Sequence, residues 1–138
     1  MPQKFLFVFF AALCFSFSNA QAKSYSGYGF WKNSGGLGGE YESRVEVTAS
    51  DFSSSYLDIH GENLRSIKMD GTQDDFSITI NNKYSGRGFC FNDFCNLQWN
   101  EGSDKMEESW FFDNDKLVRM GKRTYEKDKY VLWQDQVE

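Results

Sequence analysis

Proline is all but missing from this 138-residue chain, the only one being Pro2, and His60 is the only histidine. Cysteine amounts to Cys14, Cys90 and Cys95. Two or three thiols and one distant imidazole cannot complete an ordinary zinc site, so no metal is expected. Nucleophile elbow, histidine-containing triad, phosphate loop and D-x-D-x-D-G calcium loop are all absent. Carboxylates are plentiful, but nothing marks out two of them as an acid–base pair. The chain therefore reads as a non-enzyme with no catalytic residue and no cofactor.

Long apolar runs are lacking too, with one exception. Phe5 to Phe17 is almost unbroken, preceded by Lys4 and followed by Ser18-Asn19-Ala20-Gln21-Ala22. A basic start, an apolar centre and small residues at the end form the layout of a secretory signal peptide. A run of about 13 residues falls short of the roughly 20 that cross a bilayer, so no membrane span is expected. Cleavage after Ala22 (Ala20-x-Ala22) suits side-chain size better than cleavage after Ala20 (Ser18-x-Ala20). Residues 1–22 are thus read as a signal peptide and 23–138 as a single exported domain, periplasmic or extracellular. Cys14, mid-run and preceded by Leu13, lacks the setting of a lipoprotein and leaves with the peptide. No N-x-S/T sequon follows, which leans towards a bacterial source.

Removal of the peptide leaves 14 basic and 20 acidic residues, a formal charge of −6. Nucleic acid and anionic membrane surfaces require clustered Lys and Arg and are not expected as partners. What remains abundant is aromatic: 8 Phe, 7 Tyr and 4 Trp lie in 23–138. Aromatic and β-branched side chains suit pleated, half-buried surfaces. With Gly, Asn and Asp clusters at short intervals, the composition predicts an all-β fold, an antiparallel up-and-down meander of about 8–10 strands closed as a barrel.

Alternation of apolar and polar residues locates the strands. Tyr25 to Lys32 comes first, then the glycine-rich loop 33–39, then Glu40 to Thr48 with the clearest period of two. There Tyr41, Ser43, Val45 and Val47 share one face, and Glu40, Glu42, Arg44, Glu46 and Thr48 the wet one. Residues 49–54 read as a turn. Further strands are expected at Tyr56 to His60, Leu64 to Met69, Phe76 to Ile80, Tyr84 to Phe91, Cys95 to Trp99, Met106 to Phe112, Leu117 to Thr124, Tyr125 to Lys129 and Tyr130 to Gln134. Gly86 and Gly88 on one face mark curvature or close backbone approach. A helical reading of Asp115 to Gln136 is weakened by Gly121, Thr124 and the aromatic run 130–133.

Cys90 and Cys95 flank the turn signal Asn92-Asp93, and in an exported protein such a pair predicts a disulfide across a hairpin end. Phe91 and Phe94 would then be displayed on a pinned hairpin. Glu108 shares a phase with Met106, Trp110 and Phe112. Either an acidic group points in among apolar walls, as a candidate for orienting a ligand or for acid–base work, or a bulge or solvated barrel mouth removes it from the interior. Trp99 and Trp110, on consecutive strands, and Tyr41 join Glu108 as candidate walls of a ligand pocket, although such residues more often fill the core. His60 opposes the Leu57/Ile59 phase and is expected to face solvent. The acidic stretches 70–75, 104–108 and 113–115 read as solvated turns.

Gly29-Phe30-Trp31 on the first strand resembles the G-x-W signature of the lipocalin-like, or calycin, barrels. Lys32-Asn33 ahead of a glycine loop is also similar to the opening of the avidins. The calycin resemblance implies a barrel enclosing a small apolar ligand, with Trp31 closing one end beneath a basic residue from the last strands, Arg119 or Arg123, in a cation–π contact. The chain lacks the long helix that lipocalins carry after the barrel, and the family's second motif. Two partners are consistent with these features. One is a small apolar or amphipathic molecule. The other is an envelope or extracellular protein or glycan, met by Phe91, Phe94 and the glycine loop.

Overall fold

In the computed structural model, residues 23–48, 51–58 and 61–138 are described, with backbone alone for 51–58 and 61–63. The apolar leader, 49–50 and His60 lie outside them, and with them the expectations placed there. Ten strands follow in order: β1 Lys23–Asn33, β2 Gly38–Val47, β3 Asp51–Asp58, β4 Gly61–Thr72, β5 Asp75–Ile80, β6 Tyr84–Phe91, β7 Phe94–Glu101, β8 Asp104–Asp113, β9 Lys116–Tyr125 and β10 Lys129–Val137.

Each strand pairs antiparallel with its neighbours in sequence, so the chain is the all-β up-and-down meander that its alternation predicts. β10 pairs with both β9 and β1, and the ladder runs round without a free edge. Closure removes the unpaired backbone groups that an open sheet would offer to another chain. The C-terminus takes part: Glu138 and Ser26 exchange both backbone hydrogen bonds at 3.0 Å.

Two local readings are corrected. Residues 51–54, read as part of a turn, belong to β3, where Phe52 pairs with Val47 and Ile67. Serines mimic a turn in composition, yet here the ladders on both sides dictate extension. Tyr125 to Lys129, read as a strand, is the β9–β10 hairpin, with Tyr125 and Lys129 as its closing pair. Glu126 sits there at φ 53°, a left-handed conformation that glutamate, unlike asparagine or aspartate, rarely signals. Asn81, Asn82, Asn92 and Asn114 adopt the same region at three other hairpins. Asparagine tolerates it, so those turns were legible.

Inward positions recur every second residue. Tyr25, Val45, Val47, Ile67, Phe76, Ile78, Ile80, Leu97, Trp99, Met106, Trp110, Leu117 and Val137 are buried in one cluster. On β8 the burial alternates without interruption through Met106, Glu108 and Trp110, so no bulge switches the phase and Glu108 points in.

Cys90 and Cys95 are register partners, Cα atoms 4.0 Å apart, joined by a disulfide that sits inside the Phe91–Phe94 pair. Its loop is short, so the crosslink removes only a modest amount of unfolded-chain entropy. Replacing both cysteines by alanine is expected to cost about 2 kcal/mol in urea unfolding while leaving the far-ultraviolet spectrum unchanged. Loss of the fold on that change would show that the clasp is needed for strand pairing itself.

Candidate functional site

Among the described residues, the charges buried deepest at inward positions of their strands are Arg65 on β4, Glu108 on β8, Arg119 on β9 and Asp135 on β10. A charge moved from water into a barrel interior is tolerated only when paired and hydrogen-bonded. These four do so as two pairs of opposite sign.

The first pair lies at the seam where the chain's ends meet. Arg119 donates Nε to Asp135 Oδ1 at 3.0 Å and Nη2 to Oδ2 at 2.6 Å, the fork-to-fork geometry that suits guanidinium and carboxylate. Asp135 Oδ2 also accepts from the Tyr41 hydroxyl and from Ser43 Oγ, each at 3.0 Å, while Ser43 Oγ accepts from Arg119 Nη2 at 2.8 Å. Tyr41 and Ser43 belong to β2, two strands away from β10. The intervening residue on β1 is Gly29, register partner of both Tyr41 and Asp135. A Cβ there would lie 2.5 Å from the Tyr41 ring and 2.6 Å from the Asp135 side chain. Glycine leaves the gap through which the phenol reaches the carboxylate.

The second pair repeats the device. Gly121 of β9 is register partner of both Trp133 on β10 and Glu108 on β8. The Trp133 indole lies where a Gly121 side chain would stand, and its Nε1 donates to Glu108 Oε2 at 2.9 Å. Trp110 Nε1 donates to Oε1 at 2.8 Å. The last contact comes from across the interior: Arg65 Nη1 reaches Oε2 at 3.4 Å. The Arg65 guanidinium is 5.2 Å from the Trp99 ring centre and 5.9 Å from that of Trp133, within cation–π range of both.

Burial pushes the Tyr41 phenol well above its ordinary pKa, and the Asp135 carboxylate adds to the shift, with Arg119 opposing it. For Arg119, burial disfavours the cation, but Glu108 and Asp135 outweigh it and hold the guanidinium above its ordinary range. Both groups keep one protonation state across physiological pH. Tyr41 and Arg119 therefore hold charge and geometry.

Arg65 also lines a cavity of about 690 Å³. Tyr25, Val45 and Leu64 give it apolar wall, and Ser24, Ser26, Ser66, Asn81, Arg44 and Glu46 supply polar groups. Tyr41, Trp99, Glu108 and Trp110, singled out by sequence as pocket walls, are brought together but are almost fully buried in the network behind Arg65. The ring beneath Arg119 is Trp110, at 5.3 Å, rather than the Trp31 that the G-x-W resemblance implied. Arg123 is instead bonded to Asp104. Trp31 packs on its register partner Gly39, which the structure places in β2 rather than in the glycine loop. Arg65, Ser43 and Asp135 were missed by sequence reasoning. Their signal was present, since each keeps step with the apolar residues of its strand, Arg65 with Ile67 and Met69. Among the described residues, no group of three or more His, Cys, Asp or Glu side chains is placed to hold a metal ion.

No protein-family model, curated protein or solved structure matches the chain.

Two outcomes test the seam. Asp135→Asn is expected to cost about 3–5 kcal/mol, because it strands the buried Arg119 cation. Adding Arg119→Met to Asp135→Leu should recover part of the loss of either single change, and strictly additive losses in urea unfolding would contradict that account. The second concerns alkali. A phenol held above its unfolded value of 10.0 leaves stability untouched below about pH 10. Above that, the unfolded chain ionises first, and stability falls by about 1.4 kcal/mol per pH unit until the folded phenol ionises as well. Tyr41→Phe should flatten this part of the alkaline slope, measured by urea unfolding between about pH 9 and pH 11.5.

Proposed function

We propose that the protein is an exported, non-catalytic β-barrel that binds a small amphipathic molecule in the cavity beside Arg65. The observation that carries this reading is the cavity itself. About 690 Å³ falls within the range of small-molecule sites, and its lining combines the inward Tyr25, Val45 and Arg65 with exposed polar residues of the same strands. Arg65 supplies the orienting group. Its side chain is 14 % exposed, and its bond to Glu108, at 3.4 Å, is longer than those Glu108 accepts from the two indoles.

Glu108, Trp99 and Trp133 then act behind Arg65 as positioning residues, holding the guanidinium at the wall. Trp110 and Tyr41 hold the network in turn. Export rests on the apolar leader 1–22, and the disulfide suits an oxidising periplasmic or extracellular compartment. The lipocalin-like character of the barrel is part of the same proposal, supported by Gly29-Phe30-Trp31 and by the continuous up-and-down ladder.

The test is a titration with ten- to fourteen-carbon carboxylic acids and alcohols, followed by intrinsic tryptophan fluorescence. Trp99 and Trp133 flank Arg65, so an occupied cavity should change their emission. Micromolar affinity is expected, weakened about tenfold or more by Arg65→Met. An unchanged emission across the whole panel, with no ligand detected by calorimetry, would sink the proposal.

A further inference from the structure

Phe91, Phe94 and Phe111 stand in one registered row across the outer face of β6, β7 and β8, and Phe89 lies two residues from Phe91 on the same face. The Phe94 ring centre is 5.0 Å from that of Phe111 and 6.1 Å from that of Phe89. Phe91 is 71 % exposed, and Phe89 and Phe111 are exposed as well. Other exposed apolar residues, among them Tyr28, Phe30, Leu64 and Met120, lie on other strands, whereas these aromatic side chains touch one another in a single group, and such grouping marks an interaction site. Disulfide Cys90–Cys95 lies directly behind the row, so the platform is held rigid before any partner arrives.

The charge around the platform specifies the partner's chemistry. At this end of the barrel the hairpins expose Asp70, Asp74, Asp75, Asp93, Asp113 and Asp115. The cations among and beside them are Lys116, Lys68, Lys23 and Arg87, and the last two are already paired with Asp115 and Asp75. The rim is therefore acidic. The polar side chains next to the rings are committed to one another: Asn96 Nδ2 donates to Glu107 and Ser109, and Gln98 Nε2 to Asn96 and Glu107. The face offers apolar area and negative charge, with its amide donors engaged, which suits a polypeptide better than the hydroxyls of a glycan. A second copy would bring an identical acidic rim against the first.

We propose that this face docks a basic, apolar polypeptide segment, its large apolar side chains on Phe89, Phe91 and Phe111 and its Lys or Arg residues against the aspartate rim. Seating the rings provides affinity, and the rim provides steering and selectivity against acidic partners. The site is separate from the Arg65 cavity, and neither depends on the other.

The test uses the oxidised protein and a fluorescein-labelled twelve-residue peptide of alternating lysine and leucine, with the glutamate–leucine peptide as its counterpart. Fluorescence anisotropy is expected to show micromolar binding of the basic peptide alone. Affinity should fall about tenfold or more on raising salt from about 0.05 to 0.5 M, and by a similar factor in the double variant Phe91→Ser, Phe111→Ser. Replacing Asp93, Asp113 and Asp115 by Asn should weaken binding and reduce its salt dependence. Since all these residues are exposed, unchanged thermal unfolding will show that the variants remain folded. Equal binding of the acidic peptide, or binding indifferent to the phenylalanine changes, would overturn the proposal. So would binding of chitin or glucan oligosaccharides in place of the peptide, or concentration-dependent dimerisation in sedimentation that the phenylalanine changes abolish.

Discussion

The barrel depends on a buried ion pair at its seam. An up-and-down meander closes only when its last strand finds its first, the most distant contact in sequence and the one with the largest loop to close. Backbone pairing between β10 and β1 supplies the ladder. Arg119 and Asp135, with Tyr41 and Ser43, extend the grip on either side, from β9 to β2 over the top of β1. Hydrogen bonds spanning up to 94 residues are thus concentrated on one carboxylate. Such a pair contributes more to specifying which strands meet than to net stability, because taking both charges out of water offsets much of their attraction.

The same solution appears twice in the interior. An aromatic side chain passes over a glycine on the strand between and donates to a carboxylate two strands away: Tyr41 over Gly29 to Asp135, and Trp133 over Gly121 to Glu108. Each arrangement satisfies a buried donor and a buried anion together, without water. Two cations complete the balance, but they are held differently. Arg119 is clamped in a fork and nearly sealed, whereas Arg65 crosses the interior on a longer bond and meets the cavity. One arginine is therefore clamped within the frame, while the other keeps part of its side chain at the cavity wall.

Particular residues show how far sequence reasoning reached. Period-two alternation is a local property of the backbone, so most strands and the inward set on β2, β5 and β8 were legible. It failed where composition contradicted pairing. Ser53 and Ser54 look like part of a turn but are extended between two ladders, and Glu126 takes a left-handed turn without the asparagine that announces one at 81, 92 and 114. Glu108 could be placed in phase, yet whether it faced in or lay on a bulge depended on its ladder partners Leu97 and Gly121, each more than ten residues away. Arg65, Ser43 and Asp135 obeyed the same alternation and were passed over because a charged or small polar residue among apolar neighbours gives no local sign of its counter-charge.

By itself the sequence determined the all-β meander, the cysteine clasp at Asn92-Asp93 and the exposed Phe91, because these follow from side-chain alternation and turn chemistry within a few residues. Only the tertiary structure decided that β10 meets β1, that Arg119 lies on Trp110 and Asp135, and that Arg65 lines the cavity. Those outcomes are set by strand register. Register is fixed when the whole ring closes, and a shift of one residue in any ladder would turn every inward charge out to water.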